Sequence, residues 1–385
     1  MKNFQGRIIS QLPHYGTSIF SVMSKLANEH NAINLSQGFP DFDISEELIE
    51  LVNHYMKEGY NQYAPMQGVL PLRQNISKKV KKTYDVNYDP EKEINITAGA
   101  TQAIYTIISA FIKDDDEVII FEPAYDSYAP AVELNGGRVK YARLKSPTYE
   151  IDWDELPRMI TIQTKLIIIN SPHNPTGAII SKNDMIRLEN LTKNTDIVIL
   201  SDEVYEHLIF DEKEHQSVCR FPKLAERSFV VGSFGKTFHA TGWKIGFVLA
   251  PENLMTQFRK AHQFVVYACN TPIQYAIADF LKYTKNYNKI GKFYQKKRDF
   301  FVKNIQKSRF KIIQSHGTYF QLLDYSNISD INEMDFALWL IKEHGIAAIP
   351  VSSFYHRVNE NKMLRFCFAK KDETLKKATQ ILCKI

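Results

Sequence analysis

Short apolar runs recur through the middle of the chain, and each is bounded by Gly, Pro, Asp or Ser. These runs are rich in Ile and Val, and they span residues 94–97, 118–121, 166–170, 197–201, 229–232 and 245–249. Strands that are apolar at nearly every position are typical of a sheet buried on both faces. The pattern predicts an α/β fold with a mostly parallel central sheet and helices on both of its faces.

Helical periodicity fills the segments between the strands. Residues 101–113 carry a stripe of apolar residues typical of a helix packed on a sheet: Ile104, Ile107, Ile108 and Phe111. The last hundred residues mix helical stretches with short strands, which predicts a smaller α+β domain. We expect a large domain at 36–285 and a small domain built from 1–35 and 286–385.

Composition excludes several protein classes without indicating a function. Lys and Arg total 48 against 43 Asp and Glu, a formal net charge of +5, and no dense basic block indicates a nucleic-acid partner. No apolar run reaches the ~18 residues typical of a membrane helix. The scattered cysteines match no metal or disulfide pattern, and the first residues do not resemble a signal peptide. We expect a cytoplasmic protein with no metal site and no membrane or nucleic-acid partner.

Open α/β sheets bind ligands at the ends of their strands, and several segments there carry suitable residues. Residues 97–101 read TAGAT, and the start of the following helix offers free N–H groups for a phosphate. An ordinary tight turn explains this segment as well. Residues 170–177 read NSPHNPTG, a rigid turn in which Asn174 can donate to a ligand oxygen or make only an Asx-type bond.

Two charged residues stand at or in apolar strands, where an unpaired charge is costly. Asp202 follows the run 197–201 and suits a protonated ring nitrogen, with a helix N-cap as the alternative. Tyr205, three positions on, can donate to a phenolate. Arg365 lies in the run 364–368, where its planar fork suits a substrate carboxylate. An internal salt bridge explains an arginine at this position equally well.

Residues 233–244 read SFGKTFHATGWK and place two lysines among Gly, Thr and aromatic residues. Partial burial lowers the pKa of a lysine and makes its amine nucleophilic, which suits Lys236. Lys244 can neutralise a phosphate, although a pair of surface lysines is the usual alternative. Tyr125 follows the run 118–121 and can stack on a flat ligand or simply pack in the core.

Together and in order, these segments resemble the fold type I aminotransferases that use pyridoxal 5′-phosphate. The most specific match is SFGKTFHATGWK, with SDEVY at 201–205 and NSPHNPTG before it. INLSQGFPDF at 33–42, NQYAPMQG at 61–68 and LRFCFAK at 364–370 extend the resemblance over nearly the whole chain. The chain is similar to the branch that holds kynurenine, glutamine and methionine aminotransferases, and particularly to the bacterial methionine aminotransferases.

The resemblance implies a role for each site residue. Lys236 matches the lysine that forms the internal aldimine and moves a proton on the way to a pyridoxamine intermediate. Asp202 matches the carboxylate that keeps the ring nitrogen protonated. Asn174 and Tyr205 match donors to the phenolic oxygen, and Tyr125 matches the aromatic residue that stacks on the ring. The phosphate contacts are matched by Ala100, Thr101, Ser233 and Lys244, and Gly99 matches a further cofactor-binding position.

Further matches concern the substrate and a second subunit. Arg365 matches the clamp on the substrate carboxylate, with Asn174 beside it, and Gly38 matches a glycine whose backbone lines the same site. Tyr63 matches a tyrosine that reaches the phosphate across a dimer interface, which implies a homodimer with shared active sites.

Substrate choice follows from what the sequence lacks. Dicarboxylate-specific relatives carry a second arginine in the segment that matches 264–269, and here that segment contains none. Phe20, Tyr15 and Tyr267 predict an apolar pocket for methionine or aromatic amino acids, whose amino group passes to a 2-oxo acid. Sulfur–aromatic contacts of ~0.3–1.5 kcal/mol each do not separate these substrates. A carbon–sulfur β-lyase acting on cysteine S-conjugates is the alternative. We do not expect a DNA-binding regulator, which would join an extra N-terminal domain to this fold, because the resemblance begins by about residue 12.

Overall fold

The computed structural model describes residues 1, 3–357, 359 and 361–385. The strands are β1 (Ile33–Asn34), β2 (Ile94–Thr97), β3 (Glu117–Glu122), β4 (Arg138–Arg143), β5 (Thr164–Asn170), β6 (Val198–Asp202), β7 (Ser228–Ser233), β8 (Gly246–Leu249), β9 (Lys311–Ile312), β10 (Phe320–Asp324), β11 (Ile346–Ala347), β12 (Ile349–Pro350) and β13 (Met363–Cys367). The helices are α1 (Ile19–Glu29), α2 (Glu46–Lys57), α3 (Leu70–Tyr84), α4 (Ala100–Phe111), α5 (Tyr128–Leu134), α6 (Leu156–Met159), α7 (Lys182–Thr192), α8 (Pro222–Ala225), α9 (Phe234–Thr237), α10 (Glu252–Val265), α11 (Thr271–Leu281), α12 (Ile290–Ile305), α13 (Glu333–His344) and α14 (Asp372–Leu382).

The large central sheet has seven strands in the order β2-β8-β7-β6-β5-β3-β4. Six of these strands run in one direction and β8 runs opposite to them, so the predicted mostly parallel sheet is confirmed. Each of the six predicted apolar runs overlaps one of its strands. The apolar pattern missed β4, because this edge strand is half-exposed and carries Arg138, Lys140 and Arg143.

Both faces of the central sheet are buried. In β3, Val118 and Ile120 pack in a core that includes residues of α4, α5 and α10. The intervening Ile119 and Phe121 face a second, larger core on the other side. Side chains alternate across a strand, so a run that is apolar at every position covers both faces. The continuous apolar runs are therefore explained by helices on both sides.

Parallel strands end at one edge of the sheet, and this edge collects the predicted site. β5 ends at Asn170, β6 at Asp202 and β7 at Ser233. β2 runs in the same direction and ends at Thr97, directly before the segment that leads into α4. The antiparallel β8 begins at this edge, and Lys244 precedes it by two residues.

A second, antiparallel sheet has the order β12-β13-β10-β9, and β1 pairs in parallel with β11. This pairing aligns Ile33 with Ile346. We propose that the chain divides into a large domain at 36–285 and a small domain at 1–35 and 286–385. Support comes from this pairing and from α1, which also contacts β11. Within the described residues, no helix has the length and hydropathy needed to cross a membrane.

Candidate active site

A cavity of about 190 Å³ lies at the edge where the strands end. The structure brings most of the predicted cofactor residues together in its walls: Gly99, Ala100, Thr101, Tyr125, Asn174, Asp202, Tyr205, Ser233, Lys236 and Lys244. These residues come from segments far apart in the sequence, and the common direction of the parallel strands unites them. No group of three or more His, Cys, Asp or Glu among the described residues is arranged to hold a metal ion.

The segment after β2 forms a cradle that suits an anion. α4 begins at Ala100, and the first N–H groups of a helix have no partner within it. Gly99 has a φ of +79°, and a Cβ at this position would lie 3.4 Å from Nζ of Lys244. A side chain at residue 99 would thus occupy the space between the lysine and the helix. The glycine keeps this cradle open, which fits a phosphate group.

Asp202 enters the cavity from the end of β6 and is 4% exposed. Its Oδ2 accepts a hydrogen bond from the Tyr128 hydroxyl at 2.5 Å, and its Oδ1 accepts one from the Val204 N–H at 3.3 Å. Burial raises the pKa of Asp202 to about 6, although both hydrogen bonds oppose this shift. No cationic side chain of the described residues lies within 4.0 Å of the carboxylate. Asp202 therefore stabilises the local turn and is also suited to a cation bound in the cavity.

Lys236 lies in α9, directly after β7, and its Nζ donates a hydrogen bond to the Gly38 carbonyl at 2.9 Å. The rings of Tyr205 and Tyr319 each lie 5.5 Å from Nζ. Burial lowers the pKa of Lys236 to about 8, and the positive charge of Arg365 acts in the same direction. A large fraction of the amine is therefore neutral and nucleophilic in mildly alkaline solution.

Arg365, in β13, is 1% exposed and has no carboxylate within 4.0 Å among the residues that the structure describes. Its Nη1 donates to Asn174 Oδ1 at 2.7 Å and its Nη2 to the Ser36 carbonyl at 2.9 Å, whereas its Nε has no partner. Three rings surround its guanidinium carbon: Phe320 at 3.9 Å, Phe20 at 5.1 Å and Phe354 at 5.1 Å. Burial lowers its pKa to about 10. The structure thus decides against the internal salt bridge and leaves a buried cation suited to an anionic ligand.

Gly38 lies where any side chain would disturb this arrangement. A Cβ at residue 38 would stand 2.7 Å from Cζ of Phe320, whose ring packs against Arg365. The glycine therefore lets the backbone pass close to both Lys236 and the arginine.

Three predicted tyrosines do not line the cavity within one chain. Tyr15 is 40% exposed, and its hydroxyl donates to Glu133 Oε1 at 2.9 Å on α5. Tyr63 is 83% exposed and contacts Tyr267, with 5.4 Å between ring centroids. Tyr267 is itself 54% exposed. Of the three residues expected in the side-chain pocket, only Phe20 lies beside Arg365.

Sequence reasoning missed two residues that position the site. Tyr128 holds Asp202, and it lies three positions after Tyr125 in the same strand-end segment. Asn170 donates through Nδ2 to the Asp202 carbonyl at 2.9 Å and accepts from the Asn174 N–H at 2.8 Å through Oδ1. Asn170 is the first residue of the NSPHNPTG segment, but the sequence pattern does not show what either side chain contacts.

A larger cavity of about 710 Å³ lies nearby and shares Tyr128 and Asn170 with the first. Neither Lys236, Asp202 nor Arg365 lines it. We assign the active site to the smaller cavity, because only this one combines a nucleophilic amine, a buried carboxylate and an anion cradle.

Comparisons with known proteins identify the family of this chain. The family profile for aminotransferase class I and II matches residues 30–382. A methionine aminotransferase of Escherichia coli is 45% identical over 374 residues, with 97% of each chain covered. Kynurenine–oxoglutarate transaminase 1 of Homo sapiens is 33% identical, with 91% of this chain and 92% of the relative covered.

A solved structure from Escherichia coli, identified as having a methionine aminotransferase function, superposes with a TM-score of 0.97. The two chains are 44% identical, and the match covers 98% of this chain and 100% of the other. The predicted fold and the predicted resemblance are confirmed. The chain belongs to the class I and II aminotransferases and is an enzyme that exchanges an amino group between an amino acid and a 2-oxo acid.

Proposed function

We propose that this aminotransferase takes the amino group from methionine and from aromatic or kynurenine-like L-amino acids. The observation that carries this proposal is Arg365, a buried cation with no carboxylate within 4.0 Å among the described residues, surrounded by phenylalanine rings beside Lys236. A guanidinium fork suits the substrate carboxylate, and the rings suit an apolar or sulfur-bearing side chain. The similarity to a methionine aminotransferase at 45% identity supports the same substrate class.

Pyridoxal 5′-phosphate is the cofactor that we propose for the cavity. When bound, it supplies an aldehyde for an amine and a ring that withdraws electrons from the substrate Cα. The phosphate would be held by the cradle and its neighbours: Gly99, Ala100, Thr101, Ser233 and Lys244. Asp202 would hold the proton on the ring nitrogen, and this role is supported by the absence of a cationic side chain within 4.0 Å of its carboxylate among the described residues.

Three further side chains would position the ring. Tyr125 lines the cavity and offers a flat surface for stacking. Asn174 and Tyr205 line the same cavity and can donate hydrogen bonds to the phenolic oxygen. The Asn174 amide is oriented from one side by Arg365, which donates to Oδ1. The carbonyl half of the amide is thereby occupied, so its NH₂ group is available to the cofactor.

We propose that Lys236 is both the nucleophile and the base of the reaction. Its lowered pKa of about 8 makes the neutral amine accessible, as both tasks require. Arg365 would bind the substrate carboxylate and so fix the direction of the Cα–H bond. Orientation matters here because a proton is moved efficiently only when the bond is aligned with the electron-withdrawing ring.

The side-chain pocket we propose has no second arginine. Residues 264–269 contain none, so a dicarboxylic substrate would place its second carboxylate without a bidentate partner. Phe20 lines the pocket from within the chain. Tyr15 and Tyr267 are partly exposed, and we propose that they complete it only when a second subunit is present.

A homodimer with shared active sites is the assembly we propose. Exposed aromatic and apolar side chains lie together around the end of α10: Tyr63, Phe264, Val265 and Tyr267. Such groups are typical of protein interfaces. In the proposed dimer, Tyr63 reaches the phosphate of the partner's cofactor. The cytoplasmic location stays a prediction from composition.

A half-reaction panel on the purified holoenzyme tests the proposal. Single L-amino acids are added without a 2-oxo acid, and loss of the yellow absorption of the lysine-bound cofactor is followed. We expect methionine and the aromatic amino acids to react fastest, kynurenine and glutamine to follow, and aspartate to react slowly. Reaction only with a cysteine S-conjugate, with release of pyruvate and ammonia, would replace transfer with the β-lyase reaction. Failure to bind the cofactor would overturn the proposal.

A further inference from the structure

The backbone at Lys236 depends on a contact from the small antiparallel sheet. Lys236 lies in α9, a helix of four residues, which is too short to be stable by itself. The last carbonyl groups of a helix have no partner within the helix. The Lys236 carbonyl finds its partner in Tyr319, whose hydroxyl donates to it at 2.6 Å.

The ring of Tyr319 also faces the functional atoms. Its centroid lies 5.5 Å from Nζ of Lys236 and 5.3 Å from the ring of Tyr205, which it meets at 77°. Nζ lies at the same distance, 5.5 Å, from the Tyr205 ring. The amine therefore lies beside a pair of contacting aromatic rings, 5.5 Å from each centroid. Tyr205 belongs to a strand-end segment of the large sheet, whereas Tyr319 comes from the small antiparallel sheet's side of the site.

The position of Tyr319 is itself fixed by an unusual backbone conformation. Thr318 has a φ of +71°, which is strained for a β-branched residue. Its N–H donates to the Leu208 carbonyl at 3.1 Å, and its Oγ1 accepts from the Phe320 N–H at 3.1 Å. Leu208 lies three residues after Tyr205, so the strained turn fastens Tyr319 to the segment that carries the other ring. Tyr319 is 0% exposed.

We infer that Tyr319 is a positioning residue for the transamination. Its hydroxyl fixes the backbone of Lys236, and its ring limits the directions that the amine can take. The inference rests on the proposed role of Lys236 as the amine that binds the cofactor. Strain is retained at functional sites where the surrounding structure requires one conformation, and the turn at Thr318 is such a place.

Tyr319→Phe tests this inference, because it removes the hydroxyl and keeps the ring. Tyr325→Phe is the matched control, since Tyr325 is also 0% exposed and its hydroxyl also donates to a backbone carbonyl, that of Ile331 at 2.9 Å. Each apoprotein is mixed with pyridoxal 5′-phosphate, and the second-order rate of capture is followed by absorbance. Borohydride reduction and peptide mapping then show which lysine carries the label, and thermal melting reports folding.

We expect Tyr319→Phe to slow capture about tenfold, as for a lost buried hydrogen bond, and to move part of the label away from Lys236. Both variants should lower the melting temperature by similar amounts, because each loses one buried hydrogen bond. Tyr325→Phe should nevertheless capture the cofactor within about twofold of the wild-type rate. Equal slowing in both variants, or unchanged capture in Tyr319→Phe, would overturn the positioning role. A wild-type protein that carries no label on Lys236 would instead overturn the proposed function, and this inference with it.

Discussion

Replacing Arg365 by methionine removes the buried guanidinium and keeps an unbranched apolar side chain among the phenylalanine rings. The wild-type arginine donates to Asn174 Oδ1 and to the Ser36 carbonyl, both neutral acceptors. Its positive charge is therefore left for a ligand. If that ligand is the substrate carboxylate, the variant should lose affinity for amino acids and retain the cofactor.

The magnitude follows from the burial of the pair. Removing one partner of a buried, hydrogen-bonded charge pair costs about 2–5 kcal/mol. At 1.4 kcal/mol per tenfold, kcat/KM for methionine should fall about 30- to 4,000-fold, mostly through KM because the carboxylate is held throughout the reaction. Stability should change little, because relief of a buried unpaired charge opposes the loss of two hydrogen bonds. We expect the free energy of unfolding to move by less than about 2 kcal/mol.

The assay compares methionine with the amine that lacks its carboxyl group, 3-(methylthio)propylamine. The wild-type enzyme should prefer the amino acid strongly, and Arg365→Met should lose most of this preference. Arg73→Met is the control, because Arg73 is 2% exposed and pairs with Glu91 at 3.0 Å outside the cavity. The control should be less stable than the wild type and should keep the preference.

Two results would refute the reasoning. A variant that keeps the wild-type preference for the carboxylate would show that Arg365 does not bind it. A variant that loses cofactor content and substrate affinity in equal proportion would show that the arginine supports the fold of the whole site.

The remaining predictions concern the amine, the glycine beside it and the second subunit. Because burial lowers the pKa of Lys236 to about 8, capture of the cofactor by the apoprotein should accelerate about tenfold per pH unit below pH 8 and level off above it. A capture rate that keeps rising about tenfold per pH unit up to about pH 10 would contradict this prediction. Gly38→Ala places a Cβ 2.7 Å from Phe320 and should raise KM for amino acids, whereas Gly16→Ala, with nothing within 4 Å, should not. The Lys236→Ala homodimer should be inactive, and the Tyr63→Phe homodimer should be impaired. A mixed dimer with one subunit of each variant should recover one functional site, which combines the intact Lys236 of one subunit with the intact Tyr63 of the other. No recovery would argue against shared sites.

Much of the fold and the candidate site follows from the sequence, for a local physical reason. Most strands of the large sheet are buried on both faces, so they are apolar at nearly every position and can be recognised from the sequence without knowing which strands they pair with. The apolar pattern did not reveal the edge strand β4, because this strand is partly exposed to solvent and carries charged residues. The proposed site residues follow these strands directly, so Lys236, Asp202 and Asn174 could be placed at one sheet edge before any contact was known.

Only the tertiary structure decided what surrounds those residues. Whether Arg365 is paired depends on segments hundreds of positions away, and no spacing reveals the absence of a carboxylate. Tyr319 reaches Lys236 across 83 positions through a strained turn, and no local pattern marks it. Hydrophobic periodicity is set by burial along one element, whereas hydrogen-bond partners and pKa shifts are set by elements that meet only after folding. The sequence by itself therefore determined the architecture and the reactive groups, and the packing of the two sheets decided their partners.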